Sequence, residues 1–312
     1  MSIKISRRDL LAAAVSAGAL GRNAVAAEAK RSPSEPFGYC FNTATIRGQA
    51  LDLPSEIDLV ARAGYQGIEP WIREIEQYAK TGGSLKDLAK RLSDQGLVVP
   101  SAIGFAQWIV DDDAKRAAGL EQAKRDMDLV RQIGGTRIAA PPAGANDQAP
   151  VDLHKAAERY RALLDLGEKM GVVPQLEVWG FSKSLSRLSE CSFVAIESGH
   201  KDACLLLDVY HLYKGGSAFD GLRMLNGKSM HAIHVNDYPA DPPRAAINDA
   251  ARVYPGDGVA PLGSVFRTLR DIGFSGMLSL EVFNRDYWKQ DPAKVVQTGI
   301  EKMRETVQKA LA

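Results

Sequence analysis

The 312-residue chain has little cysteine and almost no net charge, and each shortage excludes a class of protein. Cysteine occurs at Cys40, Cys191 and Cys204, too few and too scattered for the disulfide framework of a small secreted domain. We expect these to be packing residues, with one candidate pair. The 39 basic and 38 acidic side chains leave a net charge of +1, which predicts no affinity for polyanions.

Long hydrophobic runs and nucleotide-binding motifs are also missing. Beyond residue 26, no apolar stretch approaches the roughly 18 residues that span a bilayer. No Gly-x-Gly-x-x-Gly turn follows the first predicted strand, and no Walker loop occurs, so the sequence predicts no nucleotide cofactor. The composition, 45% hydrophobic and 25% charged, is typical of a folded globular protein.

The N-terminus has the features of a secretion signal. Arg7 and Arg8 form a twin-arginine pair before the apolar run Leu10–Leu20, and Ala24-Val25-Ala26 offers a small-residue cleavage site. We therefore predict a signal peptide at 1–26, read by the twin-arginine (Tat) export machinery, a linker at 27–36 and one domain at 37–312. The expected location is the periplasm, where the mature chain carries 35 basic and 37 acidic side chains and no membrane span.

After the linker, the chain repeats one theme: an amphipathic stretch, a turn often marked by glycine, and a short apolar run. The eight apolar runs are Phe37–Phe41, Ile68–Glu69, Leu97–Val99, Thr136–Ile138, Val172–Val178, Ala203–Leu207, Met230–Val235 and Met277–Val282. Eight strands alternating with helices predict an α/β fold that closes as a (β/α)8 TIM barrel. An open, doubly wound sheet is the alternative.

Polar residues end four successive predicted strands, the fifth to the eighth. They are Glu177, Asp208, His234 and Glu281. Because barrel active sites lie at the carboxyl ends of the strands, these side chains are expected to converge. An aspartate directly after three leucines is costly to bury unless a partner or a metal neutralises it. Three carboxylates and one imidazole favour Mn²⁺, with Mg²⁺ or Co²⁺ as alternatives and Zn²⁺ less favoured. Taken singly, each residue could instead form a structural ion pair or a helix cap.

Two further polar residues are candidates for substrate binding. His211 follows Asp208 by three positions and could contact a substrate oxygen or a second metal, or make a loop hydrogen bond. Arg252 lies at the end of a long proline-containing segment, 239–256, where an arginine could stabilise an oxyanion or could simply lie on the surface.

All four tryptophans follow predicted strands. Trp71, Trp108, Trp179 and Trp288 come after the second, third, fifth and eighth strands. Aromatic walls beside a polar metal site suit a sugar ring, so we expect these side chains to line the pocket. Core packing would explain any one of them equally well.

The motifs around these residues resemble the xylose isomerase-like TIM-barrel superfamily, which includes sugar isomerases, epimerases and the endonuclease IV group. The similarity covers the whole predicted domain. Its most specific parts are Leu-Glu-Val-Trp-Gly at 176–180, Leu-Asp-Val-Tyr-His at 207–211, His-Ala-Ile-His-Val-Asn-Asp at 231–237, Arg-x-x-Pro-Gly-Asp-Gly at 252–258 and Ser-Leu-Glu-Val at 279–282.

The resemblance implies a role for each matched residue. It implies that Glu177, Asp208, His234 and Glu281 bind one divalent metal and that the two glutamates also exchange the substrate proton. It further implies that His211 and Arg252 bind substrate, and that the protein is a homodimer. One position departs from the ketose epimerases: Lys183 replaces a glutamate that holds terminal hydroxyls there.

The sequence therefore predicts a metal-dependent sugar or cyclitol isomerase or epimerase that works by proton transfer through an ene-diolate. Its partner is a small sugar, keto-sugar or cyclitol. A keto-sugar or inosose lyase or dehydratase on the same site is the first alternative. A non-catalytic sugar-binding protein is less expected, as is an endonuclease, because the histidine ligands that the endonuclease branch needs on the second and third strands are absent.

Overall fold

A computed structural model describes residues 36–312 of the chain. The predicted signal peptide and nearly all of the predicted linker lie outside the described residues. Within 36–312, no helix combines the length and the apolar character needed to cross a bilayer. The three cysteines, Cys40, Cys191 and Cys204, are buried and free. They are packing residues, and the candidate pair does not form.

The described chain contains seven strands, most of them fully buried. They are β1 Gly38–Asn42, β2 Gly67–Glu69, β3 Arg137–Ala140, β4 Val173–Glu177, β5 Leu205–Asp208, β6 Met230–Val235 and β7 Met277–Leu280. All pair in parallel, in the order β2-β1-β7-β6-β5-β4-β3. Their short, continuous apolar sequences are typical of a parallel sheet covered on both faces.

Helices connect successive strands and cover the outside of the sheet. They are α1 Leu53–Ala63, α2 Ile72–Lys80, α3 Leu85–Asp94, α4 Asp113–Gln132, α5 Leu153–Met170, α6 Leu188–Glu197, α7 Val209–Lys214, α8 Leu262–Asp271 and α9 Pro292–Leu311. Aspartates begin several of them: the Asp52 side chain accepts the amide of Ser55, and Asp152 accepts that of Lys155. Gly64 ends α1 at φ +86°, a conformation that favours glycine.

The third predicted strand, Leu97–Val99, does not form a regular strand. Residues 97–103 run extended between β2 and β3 and bond to both: Val98 exchanges hydrogen bonds with Gln66 and Ile68, and Ala102 with Arg137 and Ala139. Pro100 in the middle of this segment lacks an amide N–H, so a continuous ladder is interrupted. The segment still occupies the eighth position, and the fold is a TIM barrel rather than an open sheet.

The long segment after β6 is confirmed as a loop. Between Val235 and α8, the chain makes a single short 3₁₀ turn at Asp249–Ala251. Asp237 anchors the far end, since its carboxylate accepts the amides of Gly256, Gly258 and Ala260 at 2.8–3.1 Å. This anchor brings Arg252 back over the carboxyl ends of the strands.

Candidate metal centre and substrate pocket

The four polar residues predicted at strand ends do converge. Glu177 and Asp208 end β4 and β5, His234 is the penultimate residue of β6, and Glu281 directly follows β7. Nδ1 of His234 lies 3.3 Å from Glu281 Oε2, 3.7 Å from Asp208 Oδ2 and 4.0 Å from Glu177 Oε1. One nitrogen therefore faces three carboxylates, all of them buried.

The cluster carries more negative charge than its own cations neutralise. Four buried carboxylates surround His234, because Glu69 Oε2 also lies 3.0 Å from Nε2 on the other side of the ring. The Arg252 guanidinium supplies one positive charge, donating from Nη1 to Asp208 Oδ2 at 2.8 Å and to Glu281 Oε2 at 2.9 Å. Buried charge of one sign is stable only when it is compensated.

The donor atoms fit a divalent cation. Oε2 of Glu177 and Nδ1 of His234 are buried and have no hydrogen-bond partner in the described part of the chain. Atoms of Asp208, His234 and Glu281 lie within 4.8 Å of one another, close enough to share one ion. Glu177 faces the same space, because its Oε1 lies 4.0 Å from His234 Nδ1. The predicted four-residue ligand set is thus geometrically available.

The pKa values of these groups report the same negative potential. Burial opposes ionisation of His234, but Glu281 and Glu69 raise its pKa well above the ordinary value. Burial and the neighbouring carboxylates raise the pKa of Glu177 to about 8. For Asp208, burial by itself would raise the pKa, but Arg252, His211 and His234 together outweigh it and hold the pKa at about 2. A site that raises the pKa of His234 in this way is one that attracts cations.

His211 and Arg252 are in contact at the edge of the cluster. Nη2 of Arg252 lies 3.2 Å from Nε2 of His211. An arginine can only donate, so Nε2 accepts and Nδ1 carries the proton. Burial lowers the pKa of His211 to about 4, with the Arg252 charge adding to the effect, which keeps the ring neutral near pH 7. His211 therefore offers an N–H donor beside the cavity that it lines.

A cavity of about 410 Å³ opens above the cluster. Glu177, Glu281, His211 and Arg252 line it, and so do the predicted Trp71, Trp179 and Trp288. Three phenylalanines that the sequence analysis did not single out complete its aromatic wall: Phe105, Phe181 and Phe283. Rings follow one another from Trp71 through Phe105 and Trp179 to Phe181, with centroids 5.0–5.9 Å apart. This wall suits a ring with an apolar face.

The prediction that Trp108 lines the pocket is wrong. Its side chain is 1% exposed and packs against Tyr160 of α5, with ring centroids 5.8 Å apart. The indole N–H donates to the carbonyl of Pro141 at 2.8 Å. By residue 108 the chain has passed the strand end and turned outward, so the ring fills the space between sheet and helices.

Two buried polar residues of the site were missed from the sequence. Glu69 ends β2 and Asn42 ends β1, and both are fully buried. Asn42 Nδ2 donates to Glu69 Oε2 at 3.0 Å and to Glu281 Oε1 at 3.1 Å. The rule that selected Glu177 and Asp208, a polar residue at a strand end, would have found them had it been applied to the first two strands.

Comparison with known proteins finds a family profile and relatives that match most of the chain. The family profile described as xylose isomerase-like TIM barrel matches residues 57–306. Inosose isomerase from Bacillus licheniformis is 26% identical over 278 residues, covering 86% of this chain and 98% of that protein. A 3-dehydroshikimate dehydratase from Pseudomonas aeruginosa is 25% identical over 245 residues, covering 74% of this chain and 36% of that protein.

Solved structures share the architecture. The IolI protein, solved with a bound zinc atom, superposes with a TM-score of 0.81 at 24% identity, covering 88% of this chain and 99% of that one. L-ribulose 3-epimerase superposes with a TM-score of 0.71 at 20% identity, covering 88% of this chain and 95% of that one. At these identities the likeness demonstrates the fold alone. Together with the family profile, it shows that the chain belongs to the xylose isomerase-like TIM-barrel family.

Proposed function

We propose that this protein is a divalent-metal-dependent isomerase or epimerase of a keto-sugar or cyclitol, acting by proton transfer. The observation that carries the proposal is that Glu177 and Glu281 line one cavity and both face Nδ1 of His234. A protein that only bound a sugar would have no use for two such carboxylates. Similarity to inosose isomerase supports a cyclitol as substrate.

Glu177, Asp208, His234 and Glu281 would hold the metal. When bound, a divalent ion supplies Lewis-acid polarisation of a carbonyl oxygen, which acidifies the neighbouring C–H bond. Three carboxylate ligands favour Mn²⁺, Mg²⁺ or Co²⁺. The zinc bound by the IolI protein is reason to include Zn²⁺ in any metal series.

The carboxylates would move the proton. Glu177 lines the cavity and has two carboxylate oxygens, so one can hold the metal while the other takes the proton from the carbon beside the carbonyl. The product of that step is an ene-diolate. Return of a proton by Glu281 from the other face gives the epimer, whereas return by Glu177 to the neighbouring carbon gives aldose–ketose isomerisation.

Arg252 and His211 would stabilise the ene-diolate oxygen. Both residues line the cavity, where their N–H groups lie next to the carboxylates and can donate to a substrate oxygen. Donors held in place before the reaction stabilise a developing negative charge without reorganisation. The aromatic wall from Trp71 to Phe181 would pack against the apolar face of the ring and limit water access.

A dehydratase is the second candidate, and the similarity to 3-dehydroshikimate dehydratase favours it. It needs the same proton abstraction, after which the β-hydroxyl leaves as water and a conjugated enone forms. The two candidates therefore share every residue named above and differ in the fate of the intermediate.

The test is NMR of turnover in D₂O. The enzyme, loaded with Mn²⁺, is incubated with a panel of inososes and ketohexoses, and the metal is removed by chelation before spectra are recorded. Proton transfer predicts deuterium at the carbon beside the carbonyl. Dehydration predicts an ultraviolet-absorbing enone. An isomerised product with no deuterium at any carbon, and with no enone formed, would overturn proton transfer and favour a hydride shift.

We further propose that the protein acts in the periplasm after Tat export. The support is the Arg7-Arg8 pair, the apolar run and the small-residue cleavage site. Replacing both arginines with lysine should retain the protein in the cytoplasm, as measured by immunoblotting of cell fractions. Unchanged export of the double-lysine variant would contradict this location.

A further inference from the structure

A chain of buried hydrogen bonds lies behind the metal-ligating cluster. Glu69 Oε2 lies 3.0 Å from His234 Nε2 and accepts from Ser279 Oγ at 2.7 Å and Asn42 Nδ2 at 3.0 Å. Asn42 Nδ2 donates again to Glu281 Oε1 at 3.1 Å. These hydrogen bonds join His234 to Glu281 through two residues, Glu69 and Asn42. Both lie on strands that carry none of the four proposed ligands, β2 and β1.

The orientation of the Asn42 amide follows from its neighbours. The indole Nε1 of Trp71 lies 2.9 Å from Oδ1, and the amide of Ala44 lies 3.0 Å from the same oxygen. Both neighbours can only donate, so Oδ1 must face them. The two hydrogens of Nδ2 are therefore directed at Glu69 and Glu281, and the amide cannot rotate without losing four hydrogen bonds.

The orientation of His234 follows in the same way. A carboxylate accepts, so Nε2 of His234 carries the proton that points at Glu69. This leaves Nδ1 directed at the carboxylates of Glu281 and Asp208. On the far side, Asn42 engages Oε1 of Glu281, which leaves Oε2 facing the same space.

We propose that Glu69 and Asn42 are positioning residues, which fix Nδ1 of His234 and Oε2 of Glu281 toward the metal site. The inference rests on the proposed metal-dependent function. Partners that orient a ligating histidine typically contribute 10- to 100-fold to metal affinity. Glu69 would additionally keep the imidazole oriented through its charge, while Asn42 would keep Glu281 from rotating away.

The experiment measures metal affinity rather than turnover. Dissociation constants for Co²⁺ and Zn²⁺ are determined by chelator competition for the wild type, Glu69→Gln and Asn42→Ala, and circular dichroism confirms that each variant is folded. The control is Glu74→Gln, a partly buried carboxylate on the adjacent helix that accepts from Trp71 N and Thr43 Oγ1 instead of a ligand. We expect dissociation constants about 10- to 100-fold weaker for Glu69→Gln and Asn42→Ala and unchanged for Glu74→Gln.

A second measurement separates positioning from a general loss of stability. The visible absorption of the Co²⁺-loaded protein reports ligand geometry, and it should change in Glu69→Gln and stay as in the wild type in Glu74→Gln. If Glu69→Gln does not fold, Ser279→Ala, which removes one donor to the same oxygen, takes its place with an expected few-fold weakening.

Each outcome is decisive. Wild-type protein that binds neither metal would overturn the proposed function. Wild-type binding, with the same affinity and spectrum in the variants, would overturn the positioning role and leave the proposed function intact.

Discussion

Arg252 is a buried cation among the carboxylates of the candidate site. It is 1% exposed, and its guanidinium bonds Asp208, Glu281 and Asp249. We predict that Arg252→Ala lowers kcat by about 10²- to 10³-fold, because a donor to a developing oxyanion acts mainly in the transition state. Metal content should persist, since the ligating carboxylates remain. Steady-state kinetics and metal analysis check both, with Arg244→Ala, an exposed arginine of the same loop, as control; wild-type turnover in Arg252→Ala would remove it from the reaction.

We predict that the free energy of unfolding depends on pH through Glu56. It is 3% exposed on α1, and Oε2 has no partner anywhere in residues 36–312. Burial, with Glu74 nearby, raises its pKa to about 9, so the folded state binds the proton more tightly than the unfolded state. The free energy of unfolding therefore falls as pH rises from the unfolded pKa toward 9.

Replacing Glu56 with glutamine removes the loss of stability that ionisation of this buried carboxyl causes at high pH. Glu56→Gln should raise the melting temperature at pH 8 and leave it nearly unchanged at pH 4, where the carboxyl is mostly protonated in both states. Calorimetry at the two pH values checks this. The control is Glu76→Gln, a carboxylate whose side chain is 41% exposed, which should change little. Equal shifts for Glu56→Gln at both pH values would contradict the explanation.

At the residue scale, the sequence predicted which side chains meet at the strand ends. It did not predict the orientation of aromatic side chains, which depends on packing. The rule of a polar residue at the end of an apolar strand predicted that Glu177, Asp208, His234 and Glu281 converge, as they do, because parallel strands bring their carboxyl ends together. The sequence says nothing about which way an indole turns in a loop, so Trp108 was misplaced. Phe105 and Phe283 were missed because a phenylalanine after a strand is ordinarily core.

At the scale of elements, the loop after β6 depends on Asp237. Its side chain is 1% exposed and accepts four backbone amides of the loop, those of Tyr238, Gly256, Gly258 and Ala260. We predict that Asp237→Ala lowers the free energy of unfolding by about 2 kcal/mol or more, since buried donors lose their acceptor. It should also lower kcat through displaced Arg252, with Asp237→Asn intermediate.

Chemical denaturation and kinetics on the same variants check this prediction. Asp257→Asn is the matched control, because that carboxylate lies on the same loop but forms its ion pair with the partly exposed Lys302. Loss of activity equal in both variants would mean that the loop is sensitive to any change and that Asp237 is not its anchor.

The eighth strand position shows where element prediction stops. The apolar run Leu97–Val99 correctly marked a chain segment in the barrel wall, but with Pro100 it makes isolated bridges, from Val98 to Gly67 of β2 and from Ile103 to Trp71. The apolar pattern of the sequence predicts that such a segment is buried. Its hydrogen bonding depends on the neighbours on both sides, which only the closed structure specifies.

At the scale of the whole molecule, closure could be predicted because eight alternating units leave few topologies. Closure also has an energetic consequence for the proposed metal. The four proposed ligands come from four adjacent strand ends, β4 to β7, so an ion would connect half of the barrel. Binding that occurs only in the folded state stabilises that state.

The resulting prediction concerns thermal unfolding. Saturation at 100 times the dissociation constant adds about 2.7 kcal/mol to the free energy of unfolding. For a domain of this size, that should raise the melting temperature by roughly 5 °C. Scanning calorimetry of chelator-treated protein, with and without added Mn²⁺, Co²⁺ or Zn²⁺, measures the shift. In Asp208→Ala the shift should vanish, because the remaining ligands include only two carboxylates and Arg252 is left to pair with Glu281. A shift that survives in Asp208→Ala would mean that the ion binds elsewhere on the molecule, and the assignment of the cluster would fall with it.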